Sequence, residues 1–189
     1  MRFNFPLFLT WCRIVAIPLF VAVLYLPDSW ISERTANITS MWIFIAAAIT
    51  DWLDGYLARR WNQTTSFGAF LDPVADKLMV AAALIVLTEK GLVDPFASLI
   101  IIGREITISA LREWLAELGQ RARVAVGMLG KLKTVAQMTA IGLMLWQTPL
   151  GPIPVYQIGY VLLFLAAALT IWSMIQYLGA AWPVMRDEP

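Results

Sequence analysis

The sequence predicts an all-α polytopic membrane protein, with six transmembrane helices forming a single domain over residues 1–189. Three observations predict it. Sixty per cent of the residues are hydrophobic and only 14% are charged, against roughly 25% charged in an ordinary globular domain. The apolar residues gather into six runs, each near the ~20 residues that cross about 30 Å of hydrocarbon. The breaks between runs hold the charged and turn-forming residues. Backbone in lipid must satisfy its own hydrogen bonds, so runs of this length are helical.

The first run, about 5–26, ends at Pro27-Asp28-Ser29. It is too long for a signal core and has no small-x-small cleavage site, so it is expected to stay as a span. The second, about 40–59, closes at Arg60-Trp61-Asn62-Gln63, and the third, about 68–88, at Glu89-Lys90-Gly91. The fourth, about 95–117, is followed by Gly119-Gln120-Arg121, and the fifth, about 131–148, opens on Lys131 and Lys133. Pro149 to Pro154 separates it from the sixth, about 153–180, and Arg186-Asp187-Glu188-Pro189 reads as a solvated tail. Trp11, Trp30, Trp42, Trp52, Trp61, Trp146 and Trp182 fall near predicted span ends, where interfacial aromatics belong.

Orientation follows from Lys and Arg. With the N-terminus in the cytoplasm, Arg2, Arg59, Arg60, Arg121, Arg123, Lys131, Lys133 and Arg186 lie inside and only Arg34 and Lys90 outside. Both termini are therefore expected to be cytoplasmic. The net charge of +1 gives no basic field for nucleic acid. Cys12 is the single cysteine and supports neither a disulfide nor a metal cluster. With no histidine in the chain, any general base must be a carboxylate, a lysine or water.

Against this apolar background stand four aspartates, in DWLDGYLARR from Asp51 and LDPVADKL from Leu71. Residues three or four apart share a helix face, so Asp51 and Asp54 point one way, as do Asp72 and Asp76 on the next helix. A short connector makes the two helices antiparallel neighbours, and the acids converge near the inner surface. Unpaired, four such carboxylates would repel one another. Arg59 and Lys77 could neutralise some of them. A pair of Mg²⁺ or Mn²⁺ ions does so better, because these ions prefer hard oxygen ligands and keep sites open for phosphates. Gly55, Ala58 and Gly68 leave room beside the acids, although small residues also serve helix contacts and intramembrane acids also serve transporters.

Residues 51–76 read D-x-x-D-G-x-x-A-R-x8-G-x3-D-x3-D. This pattern resembles the signature of the CDP-alcohol phosphatidyltransferase family. The resemblance implies the six-helix fold of that family, usually a homodimer, with two divalent ions held by Asp51, Asp54, Asp72 and Asp76. It implies a CDP-linked lipid donor with CMP as the leaving group, and Asp76 as general base. It assigns Gly55, Ala58, Arg59, Gly68 and the region of Thr65 to the nucleotide and diphosphate.

The acceptor is read from the remaining polar residues. In IIGREITISALREWLAELG, Arg104 and Arg112 lie two turns apart on one face, and Lys131 and Lys133 follow beyond the next turn. Guanidinium forks and ammonium groups suit a phosphate-bearing acceptor. Pairing with Glu105, Glu113 and Glu117, or with anionic lipid headgroups, would also account for them. GREITISALREWLAELG and GKLKTVAQM from Gly130 resemble the bacterial branch of the family that uses glycerol 3-phosphate. So does the start, NFPLFLTWCR, through Asn4, Pro6, Thr10 and Arg13, with Leu7 departing from a common polar residue. Asn4 and Thr10 are thereby placed at the nucleotide site. The resemblance implies transfer from CDP-diacylglycerol to glycerol 3-phosphate at the bacterial inner membrane; with no obvious serine, cysteine or histidine beside the acids, no covalent enzyme intermediate is expected. An inositol phosphate acceptor, an intramembrane prenyltransferase and a small transporter remain the alternatives.

Overall fold

The computed structural model describes residues 4–61, 65–119 and 128–186. They form six helices: α1 (Phe5–Leu24), α2 (Glu33–Arg60), α3 (Ser66–Glu89), α4 (Pro95–Glu117), α5 (Met128–Trp146) and α6 (Val155–Arg186). There is no strand among the described residues, only an isolated bridge between Leu150 and Ile153.

Four of the helices start where a side chain can satisfy their free N–H groups. Asn4 accepts from Leu7 N at 3.1 Å, Ser32 from Thr35 N at 3.2 Å, Thr65 from Gly68 N at 3.0 Å and Asp94 from Phe96 N at 2.8 Å. After α3 and α4 the chain turns through Gly91 and Gly119, whose φ values of 69° and 72° lie in the left-handed region that glycine enters without a steric penalty.

Two helices exceed the expected spans. α2 begins at Glu33 rather than near residue 40, because Ser32 caps it and the polar turns before the apolar run join the helix. α6 continues to Arg186, through Pro183, rather than stopping near residue 180. Hydropathy locates apolar stretches, and caps locate helix ends. The segment 187–189, expected as a tail, lies outside the described residues.

α5 and α6 share the most extensive packing, followed by α1 with α2. The α5–α6 contact depends on Gly159: a Cβ there would come within 2.8 Å of Met144 Cγ and 3.0 Å of the Ala140 carbonyl, the close approach that small residues permit between membrane helices. The main core runs through Phe20, Phe44, Met79, Leu84, Ile101 and Ile141. A second cluster, Ile108, Leu111, Leu115, Tyr177 and Ala181, joins α4 to α6.

Large apolar side chains are exposed along the helices, among them Leu19, Ile49, Ile85, Leu99, Val161 and Ile175. Such faces would be a liability in water and are ordinary in lipid. Three helices, α1, α2 and α6, are long and apolar enough to cross a membrane, against the six expected. α3, α4 and α5 carry Asp72, Asp76 and Lys77, then Arg104, Glu105 and Arg112, then Lys131 and Lys133, which dilute their hydropathy.

Candidate active site

The candidate residues fall in the last third of α2, the first half of α3, the middle and second half of α4 and the first half of α5. In an up-and-down bundle these segments lie at one end. A cavity of about 1040 Å³ opens there, lined by Asp51, Asp72, Asp76, Glu105, Arg112 and Gln137 among others. That is at the upper end of the volumes of small-molecule sites.

The four aspartates gather as their spacing predicts, and what holds them comes from α1. Arg13 is 2% exposed and reaches three of them. Its Nη1 lies 3.0 Å from Asp51 Oδ1 and also pairs with Asp76, while Nη2 pairs with Asp54. Asp54 itself is 2% exposed, so its charge depends on that partner. One turn before Arg13, the Thr10 hydroxyl donates to Asp72 Oδ1 at 2.7 Å. α1 thus supplies a donor to every member of the quartet.

Among the described residues, neither expected neutraliser lies in salt-bridge range of the aspartates. Lys77 donates to Ser109 Oγ on α4. Arg59 is exposed and folds back over its own helix, its guanidinium 3.8 Å from where a Cβ of Gly55 would stand. Arg13 was visible in the sequence as a charge inside a span, which demands a buried partner. Which partner it meets depends on how α1 packs, and that is a tertiary property.

The donor set suits a hard divalent ion. Four carboxylates face the Arg13 guanidinium, so negative charge is in excess. Carboxylates gathered this closely are stabilised by a cation among them. Among the described residues no three acids, cysteines or histidines surround one point as a ready metal site, and Arg13 stands between three of the aspartates.

The small and hydroxyl residues beside the acids have local roles. Thr65 caps α3 and is exposed at the cavity end of the bundle. Gly68 leaves room for that cap, since a Cβ on it would stand 3.0 Å from Thr65 Oγ1. Ala58 is half-buried one turn after Asp54, beside Gly55. Asn4 caps α1.

The cationic residues form a second cluster, on α4 and α5. Arg104, 8% exposed, donates to Glu105 Oε1 at 3.2 Å and to Ser173 Oγ on α6 at 3.1 Å. Lys133, 1% exposed, pairs with the same Glu105 oxygen. Arg112 donates to the Tyr177 hydroxyl at 3.0 Å, and its guanidinium carbon lies 5.2 Å from that ring's centroid. Among the described residues no carboxylate lies in salt-bridge range of Arg112. One glutamate therefore serves the Arg104 guanidinium and the Lys133 ammonium, and Arg112 keeps its charge without a salt-bridge partner among the described residues. The side chain of Lys131 lies outside the described residues. Ser173 and Tyr177, which hold Arg104 and Arg112, and Ser109, which holds Lys77, were not singled out in the sequence. A hydroxyl on an apolar helix gives no signal until its neighbour is known.

A bundle of long helices with Asp51, Asp72, Asp76 and Arg112 lining one cavity is an arrangement suited to a membrane enzyme. The chain belongs to the CDP-alcohol phosphatidyltransferase family, whose sequence model matches residues 3–172. It is similar along the whole of both chains to proteins named CDP-diacylglycerol–glycerol-3-phosphate 3-phosphatidyltransferase. Identity is 54% over 192 residues with that of Salmonella typhimurium and 50% over 192 residues with that of Escherichia coli K12.

Proposed function

We propose that this chain transfers the phosphatidyl group of CDP-diacylglycerol to the primary hydroxyl of sn-glycerol 3-phosphate, giving phosphatidylglycerophosphate and CMP. The observation that carries the reading is the single cavity with two unlike poles. One pole gathers four carboxylates around the Arg13 guanidinium, and the other presents Arg112, which among the described residues has no carboxylate in salt-bridge range. Full-length likeness to the named relatives supports the choice of substrates.

Arg104, Arg112 and Lys133, with Lys131, bind the acceptor's phosphate through charge-assisted hydrogen bonds. This leaves the acceptor's free primary hydroxyl to approach Asp76 across the cavity. As the hydroxyl oxygen bonds to the lipid-bearing phosphorus, Asp76 takes its proton. The bond from that phosphorus to CMP breaks, and CMP leaves with the electron pair on its phosphate oxygen. Asp51, Asp54, Asp72 and Asp76 would hold two Mg²⁺ or Mn²⁺ ions, which supply neutralisation of the diphosphate charge. Thr10 and Arg13 keep the aspartates aimed at one another. Asn4, Thr10, Gly55, Ala58, Arg59, Thr65 and Gly68 lie at the nucleotide end, the small ones leaving space for a flat base. Most of the rate gain comes from positioning and electrostatics.

The same reading includes six spans, both termini in the cytoplasm of a bacterial inner membrane, and a homodimer. The acyl chains of the donor then lie among the exposed apolar faces of the helices while its cytidine reaches the cytoplasmic mouth. The deciding assay is CMP release from CDP-diacylglycerol by the purified protein. Release should require glycerol 3-phosphate and should not be supported by inositol phosphate. Release that is independent of any acceptor, or none at all, would remove the proposal.

A further inference from the structure

We infer that Gln137 is a specificity-determining residue that accepts a hydrogen bond from the secondary hydroxyl of the acceptor. This rests on the reaction proposed above. Gln137 lies one turn after Lys133 on α5, so the two share a face. It is 3% exposed and lines the cavity that also holds Asp76 and Arg112. Its Oε1 is buried and has no hydrogen-bond partner. Among the described residues lining the cavity it is the one buried side-chain oxygen in that condition, and the other unpartnered lining atoms are the Nε donors of Arg13 and Arg112.

A buried acceptor without a donor is costly unless something supplies the donor. Glycerol 3-phosphate has three polar parts. Its phosphate is met by the cationic pole, and its primary hydroxyl gives its proton to Asp76. The hydroxyl on the middle carbon remains, and on leaving water for the protein wall it needs an acceptor. A carboxylate there would repel the neighbouring phosphate, whereas a neutral amide oxygen does not. Gln137 supplies that chemistry on the wall shared by the two poles.

The test compares kcat/KM for sn-glycerol 3-phosphate with kcat/KM for 3-hydroxypropyl phosphate, which keeps the phosphate and the primary hydroxyl and lacks the secondary one. The wild-type protein should prefer glycerol 3-phosphate by about 10- to 100-fold, since a site built to bind a hydroxyl discriminates against its absence. In Gln137→Met, which keeps the side-chain length and removes the acceptor, the ratio should collapse towards one. A ratio undiminished in Gln137→Met overturns the inference, and so does a wild-type ratio near one. Should Gln137→Met fail to accumulate in membranes, Gln137→Asn serves instead: withdrawing the amide by one methylene should lower the ratio, and an unchanged ratio refutes the role. These outcomes are separate from the parent reading, which stands or falls on whether wild-type protein releases CMP with glycerol 3-phosphate at all.

Discussion

The two ends of the cavity are near mirror images in charge. At one, four carboxylates enclose a guanidinium from α1. At the other, Arg104 and Lys133 share Glu105 of α4, while Arg112 rests on the hydroxyl and ring of Tyr177 with no carboxylate in salt-bridge range among the described residues. The first cluster thus keeps carboxylates in excess of its guanidinium, and the second keeps a guanidinium without an acid. A structural ion-pair network would tend to neutrality, because each uncompensated buried charge is costly. On the function proposed above, the unpaired charge is what each end offers a ligand: cations at the acids, an anion at Arg112. The clusters also differ in how they are braced. The acids are held by charge and by one hydroxyl from α1. The guanidinium groups of Arg104 and Arg112 are held by the hydroxyl and ring of Tyr177 and by Ser173, all on α6. Neutral supports fix their direction without consuming their charge.

This contrast can be broken in four ways, from the largest effect downwards. Chelation with EDTA should stop CMP release entirely, with Mg²⁺ or Mn²⁺ restoring it. Undiminished turnover after chelation would mean that the acidic end needs nothing beyond Arg13. Asp76→Asn should lower kcat by about 10²- to 10⁴-fold, the usual range for a lost proton acceptor, while CDP-diacylglycerol still binds in an equilibrium assay. Near-normal kcat in that variant would move the base elsewhere. Arg13→Met should destabilise the protein by about 3–5 kcal/mol, since it leaves Asp54 buried without its partner. In a thermal unfolding series Mg²⁺ should recover more stability for this variant than for the wild type. Equal recovery in the two would show that ion and guanidinium do not serve the same carboxylates. Arg112→Ala should raise the KM for glycerol 3-phosphate about 10- to 100-fold, the scale of a lost charged hydrogen bond, with a much smaller rise for CDP-diacylglycerol. Parallel rises would displace the phosphate pocket from α4.

The acidic end was largely legible before any coordinates. Asp51 with Asp54, and Asp72 with Asp76, are three and four residues apart, and helical geometry alone puts each pair on one face. What escaped was the contribution of α1, because Arg13 and Thr10 lie some sixty residues from Asp72 and Asp76, and no periodicity reports a contact across that distance. At the cationic end the residue types were legible and their partners were not. Lys133 and Arg104 share Glu105, as a simple pairing account expects, yet Arg112 does not. Helix existence followed from the apolar runs. The start of α2 at Glu33 was hidden because Glu33 and Asn37 are polar, and only the Ser32 cap reveals that they already belong to the helix.

The position of Arg13 has a consequence for biogenesis. On the six-span reading proposed above, α1 enters the bilayer before α2 and α3, so the guanidinium is already in place when the hairpin bearing the aspartates arrives. A charged side chain within a bilayer is expensive on its own, and here each newcomer meets a ready counterpart on entry. The chain is written so that the acids never have to wait in oil for their neutraliser, and a permuted protein synthesised with α1 last would have to insert them bare.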